Sequence, residues 1–96
     1  MKNETAEIEL ARTGTFEHLH YWFDHHFFSV EAQVALVERQ NEELLIEYST
    51  RFSFCEKAQI RLIELELKNV LLQQLKRHGL TLEAQRILVQ KAFSRM

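Results

Sequence analysis

The chain has 96 residues, 46% of them hydrophobic and 27% charged, and a formal net charge of −2 at neutral pH. Its single cysteine, Cys55, excludes an internal disulfide and a metal site built from several cysteines, and the absence of proline is typical of a compact all-α domain. No apolar run approaches the roughly 18 residues of a membrane-spanning helix, and Met1 is followed by no signal peptide, so we expect a soluble, cytoplasmic protein.

A short pattern recurs every 26 residues along the chain. Alanine stands at positions 6, 32, 58 and 84, glutamate or glutamine follows it directly, and a leucine stands three residues after that glutamate or glutamine each time. The leucines are Leu10, Leu36, Leu62 and Leu88. Because a period of about 20–50 residues is typical of stacked-repeat proteins, the pattern predicts a molecule that presents a surface rather than a catalytic pocket.

The first unit, residues 3–28, is predicted to be a pair of helices. Asn3 is a preferred helix N-cap residue, whose side chain can accept a hydrogen bond from a free backbone N–H. Residues 12–15 interrupt the apolar periodicity, and Gly14 can take the left-handed conformation that ends many helices. Thr15 is then a suitable N-cap for the second helix.

The same plan continues along the chain. Residues 29–54 form the second unit, with Ser29 and Asn41 as N-caps, and residues 55–80 form the third, with Gly79 as a helix terminator. Residues 81–96 supply only the first helix of a fourth unit, capped by Thr81. Residues 56–77 lack a helix breaker and could form one helix, but the repeat register favours a bend between positions 64 and 67.

The predicted fold is all-α: an α-α superhelix, a right-handed stack of three helical hairpins with a C-terminal closing helix. Helices of about ten residues are too short to persist alone in water, so each hairpin must pack against its neighbour. The unit (cap, two residues, Ala-Gln, two residues, Leu-Val) resembles α-solenoid repeats such as HEAT, armadillo and leucine-rich-variant repeats. It is closest in length to the leucine-rich variant, whose cysteine cluster has no counterpart here. It also resembles short α-repeat proteins of bacteria, a likeness that implies no function.

Aromatic residues are concentrated in the first unit, where six of the ten lie between positions 16 and 28. Positions that are 26 residues apart in successive units are called a column. Trp22 and Phe28 occupy columns that are apolar in at least one other unit, so they are predicted to be core residues. Phe16, Tyr21 and Phe27 occupy columns that hold polar residues or glycine elsewhere, so they are predicted to face solvent.

A stripe along the second helix connects some of these residues. Phe16, His20, Phe23 and Phe27 are spaced by four, three and four positions, which places them on one side of a helix. Because large apolar patches rarely stay bare, we expect a docking surface at this N-terminal aromatic edge. Its residues are Phe16, His20, Tyr21, Phe23 and Phe27, and its expected use is homodimer formation. The alternative is that the N-terminal segment or a different hairpin tilt covers the stripe.

Four histidines lie in the same unit: His18, His20, His25 and His26. His20 and Asp24 are one helical turn apart, but a zinc site needs three or four convergent ligands. His18 aligns with apolar residues of the other units and is predicted to pack in the core, whereas His25 aligns with arginines. We therefore expect no metal and no other cofactor.

No phosphate-binding loop, nucleophile elbow or supported Cys–His pair is present, so the chain is expected not to be an enzyme and to have no small-molecule substrate. Charge is nevertheless uneven, with a balance of −7 in residues 1–67 and +5 in residues 68–96. The basic residues of the last third are Lys68, Lys76, Arg77, Arg86, Lys91 and Arg95. They could contact nucleic acid, attract an acidic partner or a second copy head to tail, or form merely solvated faces. The main prediction is a non-enzymatic protein-interaction module, and the alternative is a nucleic-acid-binding accessory protein.

Overall fold

The computed structural model describes residues 2–94 of the chain, and the side chains of residues 6–92. Seven helices and no strand are found in that range, so the prediction of an all-α fold is confirmed. The helices are α1 (Lys2–Thr13), α2 (Phe16–His25), α3 (Val30–Glu38), α4 (Glu42–Ser49), α5 (Glu56–Glu64), α6 (Lys68–Arg77) and α7 (Leu82–Ser94).

The helices pack in two rows. In one row α1 contacts α3, α3 contacts α5, and α5 contacts α7; in the other row α2 contacts α4, and α4 contacts α6. Odd-numbered helices therefore pack mainly on odd-numbered ones, and even-numbered on even-numbered. The molecule is correspondingly elongated, measuring 42 × 24 × 19 Å.

Most of the predicted helix starts are observed. Thr15 accepts a hydrogen bond from the N–H of His18, and Asn41 accepts one from Leu44. Ser29 and Thr81 cap α3 and α7 in the same way. Asn3 was predicted as a cap, but α1 already begins at Lys2, so Asn3 lies inside the helix.

The turns between paired helices correct one prediction and confirm another. Residues 56–77 form two helices, as the repeat register predicts, with Glu66 at a φ of 59° between them. Gln40 has the same φ at the equivalent position of the preceding pair. Gly14, which occupies that column between α1 and α2, does not adopt a positive φ, so its predicted left-handed role is wrong. Gly79 does end α6 with a φ of 84°.

Gly14 is required for space instead. A Cβ placed there would lie 2.6 Å from the carbonyl oxygen of Leu10 and 2.6 Å from its Cδ1 atom. Gly14→Ala is therefore expected to lower the free energy of unfolding by about 1–3 kcal/mol, because the α1 backbone must shift. Thermal denaturation of the variant measures the loss, and a Tm equal to that of the wild type would contradict this explanation.

The glutamine of the repeated Ala-Gln pair joins neighbouring helical pairs. Gln33 accepts a hydrogen bond from the N–H of Cys55 at 2.7 Å and donates one to the carbonyl of Phe28 at 2.8 Å. Gln59 repeats both bonds with Thr81 and Phe54, at 2.9 and 2.7 Å. We call the segments between successive helical pairs linkers. One side-chain amide thus bonds two linkers: its oxygen accepts from the linker 22 residues later in the chain, and its nitrogen donates to the linker five residues earlier.

A second series of hydrogen bonds reaches the same linkers from the other row of helices. The N–H of Phe28 donates to the hydroxyl of Tyr48 at 3.2 Å, and the N–H of Phe54 donates to Oε1 of Gln74 at 3.0 Å. Each acceptor stands 20 residues after its donor. Tyr48 and Gln74 are fully buried, and burial raises the pKa of Tyr48 to about 12, because desolvation disfavours its phenolate form.

The core runs through the middle of both rows. Leu36 and Leu62 are fully buried, as are Phe28 and Leu45. Of the equivalent end residues, Leu10 is half-buried and Leu88 is 37% exposed. The middle helices therefore have neighbours on both sides, and the end helices on one.

Candidate functional site

The predicted aromatic stripe on α2 is only partly on the surface. Phe23 is 1% exposed, and its ring packs edge-on against Phe28 at 5.6 Å and Tyr48 at 5.2 Å. The prediction that Phe23 belongs to an exposed interface is wrong, because this side of α2 faces α4. Phe23 stabilises the core instead.

The neighbours of Phe23 on the stripe also lie along α4. The Nδ1 atom of His20 is 3.0 Å from Oε2 of Glu47, and the ring of Phe16 stacks on that of His20 at a centroid distance of 6.2 Å. Phe16 is 39% exposed, so it lies at the margin of the α2–α4 contact. The stripe therefore faces α4 and is not on the solvent-exposed side of α2.

Tyr21 and Phe27 are the most exposed aromatic side chains of the first helical pair, at 63% and 67%. Tyr21 follows Phe16 by five positions, about 140° around a helix, and so points away from the core. Its ring lies 4.6 Å from that of His25. Phe27, in the linker after α2, lies 6.0 Å from Phe52. The structure thus separates Tyr21 and Phe27 from the α4-facing side of the helix.

Trp22 stands in the column of Tyr48 and Gln74. It is half-buried and packs against His26 at 4.5 Å, and its Nε1 atom has no hydrogen-bond partner in the part of the chain that the structure describes. Tyr48 and Gln74 accept hydrogen bonds from the preceding linker, whereas an indole can only donate. The first helical pair therefore differs at this column from the two that follow.

The histidines do not converge. His18 is exposed, so the prediction that it packs in the core is wrong; α2 places it on the side away from α4. His25 is also exposed, as its column predicts. Within the described residues, no group of three or more histidine, cysteine, aspartate or glutamate side chains could hold a metal ion.

Charged side chains bridge α2 and α4 across their exposed edge. Arg51 donates to Oδ1 of Asp24 at 2.8 Å and to Oε2 of Glu47 at 2.6 Å. The pKa of Arg51 is raised above its usual range, first by the hydrogen bond to Glu47 and also by that to Asp24. Because exposed ion pairs contribute little to stability, these bridges serve mainly to orient the two helices.

The basic residues of the last third do not form one free cluster. Arg86 pairs with Glu83, and Lys91 donates to the carbonyls of Ile63 and Glu64 at the end of α5. Lys68, Lys76 and Arg77 are exposed on α6. The predicted position Arg95 lies outside the described residues.

A second apolar surface, which the sequence analysis did not identify, lies between α6 and α7. We call it the α6–α7 groove; it is lined by Lys68, Leu71, Leu72, Leu75, Leu80 and Leu88. Its volume is about 220 Å³, and it adjoins a hollow of about 320 Å³ that also contacts Lys68, Leu71 and Leu88. Leu72 is 46% exposed and Leu75 is 51% exposed. Among the described helices, α6 is the last of its row, which accounts for the exposure of these leucines.

None of the described helices has the length and apolar character needed to cross a bilayer. Comparison of the chain with protein-family models, curated proteins and solved structures gives no match. The contacts and exposures of the chain's own residues are therefore what supports a proposal about function.

Proposed function

We propose that the chain is a non-enzymatic protein-interaction module built on a short α-solenoid, and that it forms a homodimer through exposed aromatic residues of its first helical pair. The solenoid is supported by the successive contacts within each row of helices. It is also supported by hydrogen bonds that recur at separations of 22 and 20 residues. Such an architecture offers extended surfaces for partners.

The exposure of Tyr21 and Phe27 carries the homodimer proposal. Both rings are about two-thirds in solvent, at 63% and 67%. Tyrosine and phenylalanine are enriched in protein interfaces, where buried aromatic anchors supply much of the binding energy. In a two-fold dimer the same patch is used twice, so two exposed rings on one chain become four rings at the contact.

Charge introduced at these two positions is expected to abolish the dimer. Light scattering should give the mass of a dimer for the wild type and of a monomer for the Tyr21→Glu/Phe27→Glu variant, because two carboxylates cannot be buried unpaired. Leu82→Glu is the matched control, since Leu82 is 85% exposed but lies on α7. A wild type that remains monomeric at high concentration would rule out the homodimer.

A further inference from the structure

Each of the first two helices of the even-numbered row has one side packed against the next helix of that row. We call the equivalent side of α6 its outward side. Leu45 on α4 is fully buried, but its counterpart Leu71 on α6 is only half-buried. Phe23 on α2 and Ser49 on α4 are 1% and 0% exposed, but their counterpart Leu75 is 51% exposed. α4 covers this side of α2, and α6 covers it on α4. Among the described residues, no helix occupies the corresponding position beside α6, and the α6–α7 groove lies there.

A backbone donor in this groove also lacks the partner that its counterparts have. The N–H groups of Phe28 and Phe54 donate to Tyr48 and Gln74 on the next helix of the row. The equivalent N–H is that of Leu80, and no group among the described residues accepts a hydrogen bond from it. Leu80 itself lines the groove. A helix bound there could supply this acceptor.

Charge at the groove indicates what kind of helix fits. Between α2 and α4, Asp24 pairs with Arg51, and between α4 and α6, Glu42 accepts from Asn69; in both cases the partners are 27 residues apart. On α6 the columns of Asp24 and Glu42 are occupied by lysines.

These lysines are Lys76 and Lys68, both exposed and both without an ion-pair partner among the described residues. A segment that continued the pairing pattern would place one side chain opposite each of them. One would stand in the first turn of its helix, as Asn69 does in α6, and the other two residues beyond the helix end, as Arg51 does after α4. Carboxylates are the side chains that complement two lysines, and lysine or arginine at those positions would weaken binding.

We propose that the α6–α7 groove binds an acidic amphipathic helix of a partner protein. Its leucine-type side chains cover Leu71, Leu72 and Leu75, and its carboxylates, eight residues apart, meet Lys68 and Lys76. A side-chain oxygen between the carboxylates accepts the N–H of Leu80. This is the helix-in-groove mode of recognition, in which successive turns of one helix face supply the anchors.

This inference goes beyond the homodimer, because it concerns the opposite end of the rows and a different occupant. A second copy is the poorer occupant by charge. Face-to-face pairing of two such grooves would bring Lys68 and Lys76 of both copies together, and residues 68–96 carry a balance of +5 in each copy. Like charges brought together at an interface weaken binding.

The chain itself provides the pattern for a probe. Helix α4 occupies the corresponding site beside α2, with Glu43, Leu44, Leu45 and Tyr48 in the required columns. The probe, called the acidic peptide, is a fluorescent synthetic peptide of residues 41–54. Glu43 supplies its first carboxylate, and the substitution Arg51→Glu supplies the second. Its matched control carries lysine at both positions 43 and 51. The acidic peptide is expected to bind the wild type at least about tenfold more tightly than the lysine peptide in fluorescence anisotropy at low salt.

Variants of the protein locate the binding site. Leu75→Glu is expected to weaken binding of the acidic peptide at least about tenfold, and Lys68→Glu/Lys76→Glu to reverse the preference between the two peptides. Leu82→Glu, on α7 but outside the lining of the groove, is the control and should change binding by less than about twofold. Circular dichroism checks that each variant remains folded.

Amide NMR of the wild type gives a direct readout. On addition of the acidic peptide, the Leu80 N–H resonance should shift downfield and its hydrogen exchange should slow, because the group gains an acceptor. No binding of the acidic peptide, or equal binding of both peptides, would overturn the proposal. So would a dimer in solution that Leu75→Glu dissociates, since the groove would then be a self-interface. The homodimer proposal is judged separately, through Tyr21 and Phe27.

Discussion

Replacement of Gln59 by leucine is expected to lower the free energy of unfolding by about 2–3 kcal/mol. The side chain is 3% exposed and joins two linkers, accepting from Thr81 at 2.9 Å and donating to Phe54 at 2.7 Å. Leucine has nearly the same size but makes neither bond, so a backbone donor and a backbone carbonyl lose their partners. Urea denaturation followed by circular dichroism measures the difference.

Gln85→Leu is the matched control for this prediction. Gln85 occupies the same column and donates to the carbonyl of Leu80 at 2.8 Å, but it is exposed and, among the described residues, accepts no hydrogen bond from a later linker. Its replacement is expected to cost less than about 1 kcal/mol, because water can satisfy the freed carbonyl. Equal losses at both positions would show that the bond between successive linkers contributes nothing.

The repeat register predicted the helices well because helix boundaries depend on local chemistry. Caps such as Ser29 and Asn41 act through bonds to residues three positions away, which are visible in the sequence. The split of residues 56–77 followed from the register, although Glu66 gives no local sign of its positive φ. The left-handed role assigned to Gly14 is wrong, whereas Gln40 and Glu66 at the equivalent positions take that conformation although neither is glycine.

The role of the repeated glutamine depends on tertiary structure and was not predictable from spacing. Gln33 is 5% exposed, and a buried amide requires partners, but the sequence does not show that these are linkers before and after it. Glu7, in the same column, keeps only the acceptor role, toward the N–H of Ser29. A carboxylate can only accept, which is all that Glu7 does, whereas the amides of Gln33 and Gln59 both accept and donate.

The stripe on α2 was assigned to the wrong environment for a physical reason. Helical spacing correctly placed Phe16, His20 and Phe23 on one side, but spacing does not reveal whether that side faces the next helix or solvent. It faces α4, where Tyr48 contacts Phe23. Among the residues that the structure describes, no further helix lies on the same side of α6, which is why the open surface lies at Leu75 instead.

Leu45→Ala is expected to lower the free energy of unfolding by about 2–5 kcal/mol, the usual cost of truncating a fully buried leucine. Leu45 is a core residue of α4. Its replacement by alanine leaves a cavity that can be filled only if neighbouring helices move. Denaturation in urea, with the slope compared between variants, distinguishes lost stability from a change in the unfolded state.

Leu71→Ala, in the same column one helix later, is expected to cost only about 1 kcal/mol, because half-burial removes less apolar surface from water. The two losses should converge when the acidic peptide is bound, since the peptide then covers Leu71 as α6 covers Leu45. If Leu71→Ala costs as much as Leu45→Ala in the free protein, the outward side of α6 is already covered, and the groove offers no place for a partner helix.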